Sequence, residues 1–346
     1  MNYRNIFITL AALSGTVTAS AWSAESATVA FLMPDQASTR YEQHDFPGFK
    51  AEMSKLCADF KVIYQNANAN ASQQQFNSVI AQGAKVIVLD PVDSSAAAAL
   101  VENAQAQGVK VIAYDRPVPD KPADFYVSFD NEGIGYAIAK SLTDHLKASG
   151  VPQDAGVLQI NGSPTDAAAG LIRDGIHRGL KESGYKTLAE FDTPEWAPPK
   201  AQEWTAGQVT RFGDKIKGVV AANDGTGGGA IAAFKAAGVQ PLPPVTGNDA
   251  TIAALQLIIA GDQYNTISKP SEIVATAAAK VAVDFIQGKK PQASTTLYNT
   301  PSQLFTPEVV TAKNIKAEIF DKKIQTWDQV CSGEYAAACQ KLGISK

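Results

Sequence analysis

Histidine and cysteine are scarce in this chain, and their scarcity argues against a metal centre. Among the 346 residues there are three His and three Cys. His44, His145 and His177 are far apart, and none has a Cys or His neighbour at the spacing that zinc sites use. We therefore predict that the protein holds no metal ion and requires no cofactor.

Positive charge is not in excess either. Lys and Arg number 30 against 34 Asp and Glu, a formal net charge of −4, and the basic residues are scattered singly. Because nucleic-acid binding requires a basic patch or stripe to meet phosphates, no nucleic-acid partner is expected. The apolar content of 45% and the charged content of 18% are typical of a well-cored soluble protein.

Long hydrophobic runs are absent apart from one near the N-terminus. Arg4 precedes an apolar run from Ile6 to Val17, and Ala19-Ser20-Ala21 follows it. This layout is typical of a secretory signal peptide with an A-x-A cleavage site. The run is too short to cross about 30 Å of hydrocarbon, so it is not read as a membrane anchor. We predict that residues 1–24 are a signal peptide, cleaved near residues 21–24, and that the protein is periplasmic.

The three cysteines fit an exported protein. Cys331 and Cys339 enclose a short loop, and an oxidising compartment would favour a disulfide between them. Cys57 lies on a helical pattern and is predicted to be buried as a small apolar side chain. Other pairings stay open, because connectivity cannot be read from a sequence.

After residue 27 the chain repeats one unit, a short apolar strand followed by a longer amphipathic stretch. Strands alternating with helix-length segments predict an α/β fold with parallel sheets covered on both faces. Two doubly wound lobes and a single (β/α)₈ barrel both fit this alternation. The predicted strands are 28–34, 60–66, 84–91, 109–115, 125–130, 156–162, 216–224 and 244–249.

Polar residues at the strand ends favour the two lobes over the barrel. They fall into two groups, one from Asp35 to Arg116 and one from Asn161 to Asp249. In open parallel sheets, residues at the carboxyl ends of strands line the binding crevice. Two such sheets facing each other would share one cleft.

The candidate ligand-binding residues combine hydrogen-bond acceptors, donors and flat aromatic rings. A sugar has the complementary surface, since each hydroxyl both donates and accepts and each C–H face can lie on an aromatic ring. The candidates are Arg40, Tyr41, Asp115, Arg116, Asp166, Trp196, Asn223, Asp249 and Lys269.

Structural interpretations of the same residues stay open. Asp115 and Arg116 could form ordinary surface ion pairs, Trp196 could be a packing plug, and Asn223 could simply cap a helix. Two enzyme classes are the alternatives. A G-x-G-x-x-A pattern runs from Gly225 to Ala230 as in NAD-binding enzymes, and Asp115 with Asp249 could nominally cleave a glycoside.

The motifs "VKVIAYDRPV", "FYVSFDNEGIG", "INGSPTD", "AANDGTGGGAI", "VTGNDA" and "ISKP" resemble those of the periplasmic sugar-binding proteins of ABC importers. Within the ribose-binding-like family, the chain is most similar to the D-xylose-binding branch, from about Thr28 to Asp321. The resemblance implies a type I periplasmic binding protein fold, with two doubly wound parallel-sheet lobes joined by a hinge. It implies that the protein is not an enzyme but captures D-xylose or a related aldopyranose.

The resemblance also implies roles for individual residues. Tyr41 and Trp196 would sandwich the sugar ring, and Asp166 is a weaker candidate for contact with it. One segment departs from the family, because Ala167, Ala168 and Gly170 stand where relatives usually have two Asn and then Ala-Lys. The departure removes a polar contact and opens space. The residues matching family positions that hydrogen-bond the pyranose are Arg40, Asp115, Arg116, Asn223, Asp249 and Lys269.

The lobe boundaries follow from the same resemblance. The N-terminal lobe is expected to comprise residues 27–133 and 270–310, and the C-terminal lobe residues 134–269 and 311–346. Crossovers near Asp130, Lys269 and Phe305 would form the hinge. The expected partners are a monosaccharide and an ABC transporter permease, with a chemoreceptor left open, and the protein is expected to be a monomer.

Overall fold

The computed structural model describes residues 27–34, 40–56, 60–66 and 72–346. The predicted signal peptide and Cys57 lie outside these ranges. The strands are β1 Thr28–Met33, β2 Lys61–Asn66, β3 Ala84–Leu89, β4 Lys110–Tyr114, β5 Phe125–Phe129, β6 Gly156–Asn161, β7 Lys186–Asp192, β8 Ile216–Ala221, β9 Asn265–Ser268, β10 Thr295–Leu297, β11 Thr300–Phe305 and β12 Glu308–Thr311.

Eleven α-helices surround these strands within the described ranges, and none of them is long and apolar enough to cross a membrane. They are α1 Phe46–Leu56, α2 Ser72–Ala81, α3 Ala97–Ala106, α4 Asn131–Ala148, α5 Ala167–Ser183, α6 Pro198–Phe212, α7 Asp224–Ala236, α8 Ile252–Ala260, α9 Ser271–Ile286, α10 Trp327–Val330 and α11 Ala336–Lys341.

The first sheet has seven strands in the order β10-β11-β5-β4-β3-β1-β2. Its strands run parallel except β10, which is antiparallel to β11. All six residues of β1 are buried, as expected for a parallel strand covered on both faces. The neighbours Phe31 and Leu32 belong to different core clusters, because adjacent side chains on a strand point to opposite faces.

The second sheet has three parallel strands in the order β7-β6-β8, and the antiparallel pair β9–β12 forms a separate two-stranded sheet next to it. Between β8 and β9 lies Val245, which bridges Val219 in parallel and accepts a hydrogen bond from the Tyr264 amide. The strand predicted at residues 244–249 is therefore reduced to one bridge. Pro243 and Pro244 precede it and have no N–H to donate to a neighbouring strand.

The chain passes between the two sheets at three places. It leaves β5 at Asp130 to enter α4, leaves β9 at residues 269–270 to enter α9, and leaves β11 at residues 306–307 to enter β12. Helix α4 packs on α5, β8 and β9, whereas α9 packs on α1 and on β3, β4 and β5. The prediction of two doubly wound α/β lobes is confirmed, and the barrel alternative is wrong.

Strands β7, β10, β11 and β12 and the short β9 were not predicted. In β7 most residues are partly or fully exposed, so it lacks the apolar run that identified the buried strands. The hairpin between β10 and β11 turns at Tyr298 and Asn299, which both have positive φ values, of 49° and 58°. That turn favours Asn but lacks the Asn-Gly pair that marks such hairpins in a sequence.

The C-terminal residues complete the core of the second lobe. Cys331 and Cys339 are buried and form a disulfide with their Cα atoms 5.9 Å apart. Together with Ile344 they pack in one cluster with Leu255 and Ile258 of α8. The disulfide loop therefore covers α8, which directly follows the loop that carries Asp249.

Candidate functional site

The carboxyl ends of strands from both sheets bring polar side chains together, as parallel sheets with a shared crevice require. Asp115 and Arg116 follow β4 in the first lobe, while Asp166 lies between β6 and α5 in the second. The Arg116 Nε atom is 3.2 Å from Asp166 Oδ2, so an ion pair joins the lobes directly.

Asp115 is held by a cation from its own lobe. The Arg40 Nη2 atom donates to Asp115 Oδ2 at 2.7 Å, and the Arg40 guanidinium lies 4.9 Å from the centre of the buried Tyr41 ring. Burial alone would raise the pKa of Asp115, but the nearby cations Arg40 and Lys269 outweigh it and hold the pKa below its ordinary value. Asp115 is therefore an ionised acceptor.

The backbone at Asp115 explains why the two adjacent charges diverge. Asp115 has a φ of 59°, in the left-handed region that few non-glycine residues adopt. Its carbonyl oxygen accepts hydrogen bonds from Tyr126 Oη at 2.8 Å and Ser128 Oγ at 2.9 Å, which fix this turn. As a result, Asp115 meets Arg40 whereas Arg116 reaches towards the other lobe.

Arg116 lies between two carboxylates. Besides Asp166, it approaches Asp90 Oδ1 with its Nε atom at 3.5 Å, and its Nη1 atom donates to the Pro91 carbonyl at 3.1 Å. Burial would lower the pKa of Arg116, but Asp166 and Asp90 outweigh it and the pKa lies above its ordinary value. The guanidinium is thus a fixed cation at the meeting point of the lobes.

Asp166 also positions Trp196. Its Oδ1 atom accepts from the Ala168 amide at 2.8 Å and caps α5, while its Oδ2 atom accepts from Trp196 Nε1 at 3.0 Å. The indole lies against Gly162, where a Cβ atom would come within 2.1 Å of the ring. The half-buried Trp196 is therefore held by a hydrogen bond and by a position that only glycine fits.

A further ion pair lies within the second lobe. Lys269 Nζ is 2.9 Å from Asp249 Oδ1, and the Lys269 side chain is only 9% exposed. Burial would lower the pKa of Lys269, but Asp249 and Asp115 outweigh it and the pKa is raised. Since Asp115 acts on this ammonium, Lys269 links the groups of the two lobes electrostatically.

Asn223 is the predicted residue least connected to the others. Its Oδ1 atom accepts from the Thr226 amide at 2.9 Å and forms a capping box at the start of α7. The helix-cap interpretation is thus correct for its oxygen, which leaves the amide nitrogen for another partner. The next residue, Asp224, donates its backbone amide to the Asn248 carbonyl at 2.9 Å, beside Asp249.

The sequence reasoning assigned no site role to three buried carboxylates that support this site. Asp45 accepts from Tyr114 Oη at 2.5 Å and lies 3.9 Å from Arg40, and Asp90 adjoins Arg116 as described above. Asp224 accepts from Thr266 Oγ1 at 2.7 Å and from the Thr251 amide at 2.8 Å. Asp90 ends a predicted strand, and that position was the only signal that could have found it.

The pKa of the Asp224 carboxyl group is unusually high. Burial, with a contribution from Asp249, raises its pKa to about 7, while its hydrogen bonds act in the opposite direction. Its Oδ2 atom accepts hydrogen bonds from both the amide and the hydroxyl of Thr251, which is the N-cap residue of α8. The protonation of Asp224 is therefore coupled to the loop that carries Asp249.

Little in this arrangement suits a catalyst. Asp115 has a lowered pKa, the opposite of what a general acid requires. Two glycines within the G-x-G-x-x-A segment lie against protein backbone, since a Cβ at Gly227 would be 2.6 Å from the Thr246 carbonyl oxygen and one at Gly229 would be 2.5 Å from the Pro198 carbonyl oxygen. Within the described ranges, no three His, Cys, Asp or Glu side chains form a group that could hold a metal ion.

Comparison with known proteins places the chain in a family. The family model described as "Periplasmic binding protein domain" matches residues 29–290. The chain belongs to this family. It is 37% identical to the D-xylose-binding periplasmic protein of Escherichia coli strain K12 over 91% of this chain and 96% of that protein. It is 32% identical to the D-xylose-binding periplasmic protein of Haemophilus influenzae over 78% of this chain and 82% of that one.

A solved structure extends the likeness. An ABC transporter solute-binding protein from Clostridium phytofermentans with bound β-D-glucose superposes with a TM-score of 0.79 at 25% identity, covering 88% of this chain and 99% of that one. The first two relatives are thus named for binding D-xylose, and the solved structure is named as the solute-binding protein of an ABC transporter. The predicted resemblance to periplasmic sugar-binding proteins is thereby confirmed.

The raised pKa of Asp224 predicts a pH dependence of stability. In the unfolded chain this carboxyl ionises near pH 4, but in the folded protein it keeps its proton up to about pH 7. The contribution of Asp224 to the free energy of unfolding is therefore fully present below about pH 4 and is lost as pH rises to about 7. Between these values the free energy of unfolding falls by about 1.4 kcal/mol per pH unit.

Urea unfolding of the wild type and Asp224→Asn between pH 4 and 8 measures this effect. The wild type should lose stability relative to the variant as pH rises through that window. Parallel pH profiles of the two proteins would show that Asp224 is ionised throughout.

Proposed function

We propose that this chain is the substrate-binding component of an ABC importer and captures a monosaccharide between its two lobes. The observation that carries the proposal is the convergence of Arg116 from the first lobe with Asp166 and Trp196 from the second, at facing carboxyl ends of the two sheets. The sugar-binding names of the family relatives support the same function.

The lobes in this proposal comprise residues 27–133 with 270–310, and residues 134–269 with 311–346. The three crossings between the sheets support two such lobes, with the chain changing lobe at Asp130, at residues 269–270 and at residues 306–307. The crossing segments are neighbours, since the Asp130 amide donates to the Phe305 carbonyl at 2.9 Å and Glu308 pairs with Ser268. We propose that they act together as the hinge.

Each kind of side chain has one role towards the sugar. The carboxylates accept hydrogen bonds from hydroxyls, the cations and the Asn223 amide donate to them, and the rings of Tyr41 and Trp196 cover the apolar faces of the pyranose. Charged partners roughly double the strength of such bonds, so the cleft would reject analogues that leave a buried group unpaired. The carboxylates are Asp115, Asp166 and Asp249, and the cations are Arg40, Arg116 and Lys269.

Closure is the step that selects the sugar. Direct contacts between the lobes lie beside the site, because the Ser94 amide donates to the Thr165 carbonyl at 3.0 Å and Ser94 Oγ accepts from the Ala167 amide at 3.1 Å. A sugar that bonds to both lobes favours the closed form by its difference in affinity between the two states. The closed protein then presents both lobes to a membrane permease.

D-xylose or a related aldopyranose is the proposed ligand. Both D-xylose-binding relatives exceed 30% identity, and the Clostridium structure holds β-D-glucose, which is larger by one hydroxymethyl group. Ala167 and Ala168 begin α5 beside Asp166 and carry no polar side-chain atoms. The space that they leave would admit a substituent at this edge of the ring.

The same proposal covers the setting of the protein. Export by the N-terminal signal sequence would place it in the periplasm, where it acts as a monomer and docks on the permease. A chemoreceptor would bind the same closed form. Pull-down from the membrane fraction, followed by identification of the captured proteins, distinguishes a permease from a chemoreceptor.

Calorimetric titration with pentoses, hexoses and inositols tests the function. Binding of D-xylose or D-glucose at one site per chain is expected, with no turnover of aryl glycosides and no binding of NAD. Sustained turnover, or the absence of binding across the whole panel, would contradict the proposal.

Gly162→Ala tests the placement of Trp196. The added Cβ would meet the indole at 2.1 Å, so the ring must leave its position and its bond to Asp166. Sugar affinity should fall by about tenfold, since one aromatic contact contributes about 0.5–1.5 kcal/mol. Gly207→Ala, on an exposed helical position with no atom within 4 Å of the added Cβ, is the matched control and should bind as the wild type.

Ser94→Ala tests the contacts between the lobes. Loss of the Oγ acceptor for the Ala167 amide weakens the closed form, so affinity should fall by about twofold to tenfold for every sugar alike. Ser95→Ala, at the exposed neighbouring position, should change nothing. A sugar-dependent loss in Ser94→Ala would mean that Ser94 contacts the ligand instead.

A further inference from the structure

Asp90 is a buried carboxyl without a hydrogen-bond donor among the described residues. It follows β3 directly, and its side chain is 0% exposed. Neither Oδ1 nor Oδ2 accepts a hydrogen bond from the part of the protein that the structure describes. Buried carboxylates are costly unless donors surround them, and such groups in native proteins normally have a function that accounts for them.

Asp90 lies within the candidate site and not behind it. Arg116 Nε is 3.5 Å from Asp90 Oδ1, and the same nitrogen is closer to Asp166, at 3.2 Å. Burial raises the pKa of Asp90 above its ordinary value, Arg116 opposes this, and Asp115 adds to it. Tyr41 is also close enough for the two side chains to influence each other. The carboxyl therefore shares its surroundings with four proposed ligand-binding residues.

Among the described residues, Asp90 is, like Asp45, a buried carboxyl group that is not the nearest partner of any of the three cations at the site. Each of the three cations has a nearer carboxylate partner than Asp90. The pairs are Arg40 with Asp115 at 2.7 Å, Arg116 with Asp166 at 3.2 Å, and Lys269 with Asp249 at 2.9 Å. A ligand for this site must therefore supply a donor to Asp90 and should carry no negative charge of its own.

The position of Asp90 relative to the second lobe adds a second observation. The residues that follow it reach across the cleft, because Ser94 is hydrogen-bonded to Thr165 and to Ala167. On the facing segment, the Ser163 and Thr165 hydroxyls bond to each other, and the alanines that begin α5 have no polar side-chain atoms. Among the described residues on the first-lobe side of this contact, Asp90 thus offers two acceptor atoms that take part in no hydrogen bond.

We propose that Asp90 is a ligand-binding residue that accepts a hydrogen bond from a hydroxyl of the bound sugar and selects uncharged sugars over sugar acids. The proposal rests on the sugar-binding function proposed above and extends it by one residue and one class of excluded ligand. A carboxylate on the sugar would lie near Asp90, while each of the three described cations of the site already has a carboxylate partner within 3.2 Å. Like charges in a buried site repel strongly.

Calorimetric titration of Asp90→Ala with D-xylose, D-glucose and their monodeoxy analogues tests the contact. Affinity for the parent sugar should fall by about 10- to 100-fold, as expected for loss of a hydrogen bond to a charged group. One deoxy analogue, which lacks the hydroxyl that Asp90 binds, should have equal affinity for the variant and the wild type. An equal loss across the parent sugars and all analogues would overturn the contact and make Asp90 a positioning residue for Arg116.

Asp90→Asn tests the selectivity. This substitution keeps the size of the side chain and removes its charge, so the ratio of D-glucose affinity to D-glucuronate affinity should fall at least about tenfold. Asp120→Asn, an exposed acid of the first lobe, makes the same change in net charge and should leave the ratio unchanged. Equal ratios in the wild type and Asp90→Asn would overturn the assignment.

Thermal unfolding of the sugar-free proteins separates this role from a structural one. Removal of a buried carboxyl with no donor should leave the melting temperature of Asp90→Ala unchanged or higher. A lower melting temperature together with full sugar affinity would overturn the assignment while leaving the proposed function intact. Failure of the wild type to bind any of these sugars would overturn both.

Discussion

The ion pair between Arg116 and Asp166 is the interaction on which the site depends. It joins the ends of two separate sheets at 3.2 Å, and each partner is also bound within its own lobe, Arg116 to the Pro91 carbonyl and Asp166 to the start of α5. Because both side chains are buried, the loss of either would leave a charge without compensation, which is far more costly than breaking a surface pair. The pair therefore sets the separation and orientation of the lobes, and Trp196, bonded to the same carboxylate, takes its position from it.

The site is built on backbone conformations that ordinary residues avoid. Asp115 of the first lobe and Trp196 and Asp249 of the second all have positive φ values. Such strain is stable only where surrounding groups enforce it, as Tyr126 and Ser128 do for the Asp115 carbonyl. Side chains fixed in this way lose little freedom when a ligand arrives, so more of each hydrogen bond remains as affinity.

Much of the fold was readable from sequence, because buried parallel strands leave a strong signal. The apolar runs of β1, β3 and β4 each predicted a strand, and the polar residues after them predicted the shared cleft. Strands with exposed residues, such as β7, carry no comparable signal. At the candidate site, position after a strand selected residues such as Asp115 and Arg116, which the structure brings together with Asp166. Asp90 and Asp224 also follow strands but were not included among the candidates, because their burial and their hydrogen-bond partners depend on the packed structure. Asn223 shows the converse limit, since a cap and a ligand contact use the same residue type.

The adjacency of the three crossing segments restricts how the lobes can move. Asp130 is hydrogen-bonded to Phe305, and Glu308 is paired with Ser268, so the connecting segments lie side by side as a narrow ribbon. Shearing one lobe past the other would have to break these bonds, whereas a bend across the ribbon leaves them intact. We therefore propose that the two lobes open by bending about these segments, so that opening begins at the edge of the cleft farthest from them.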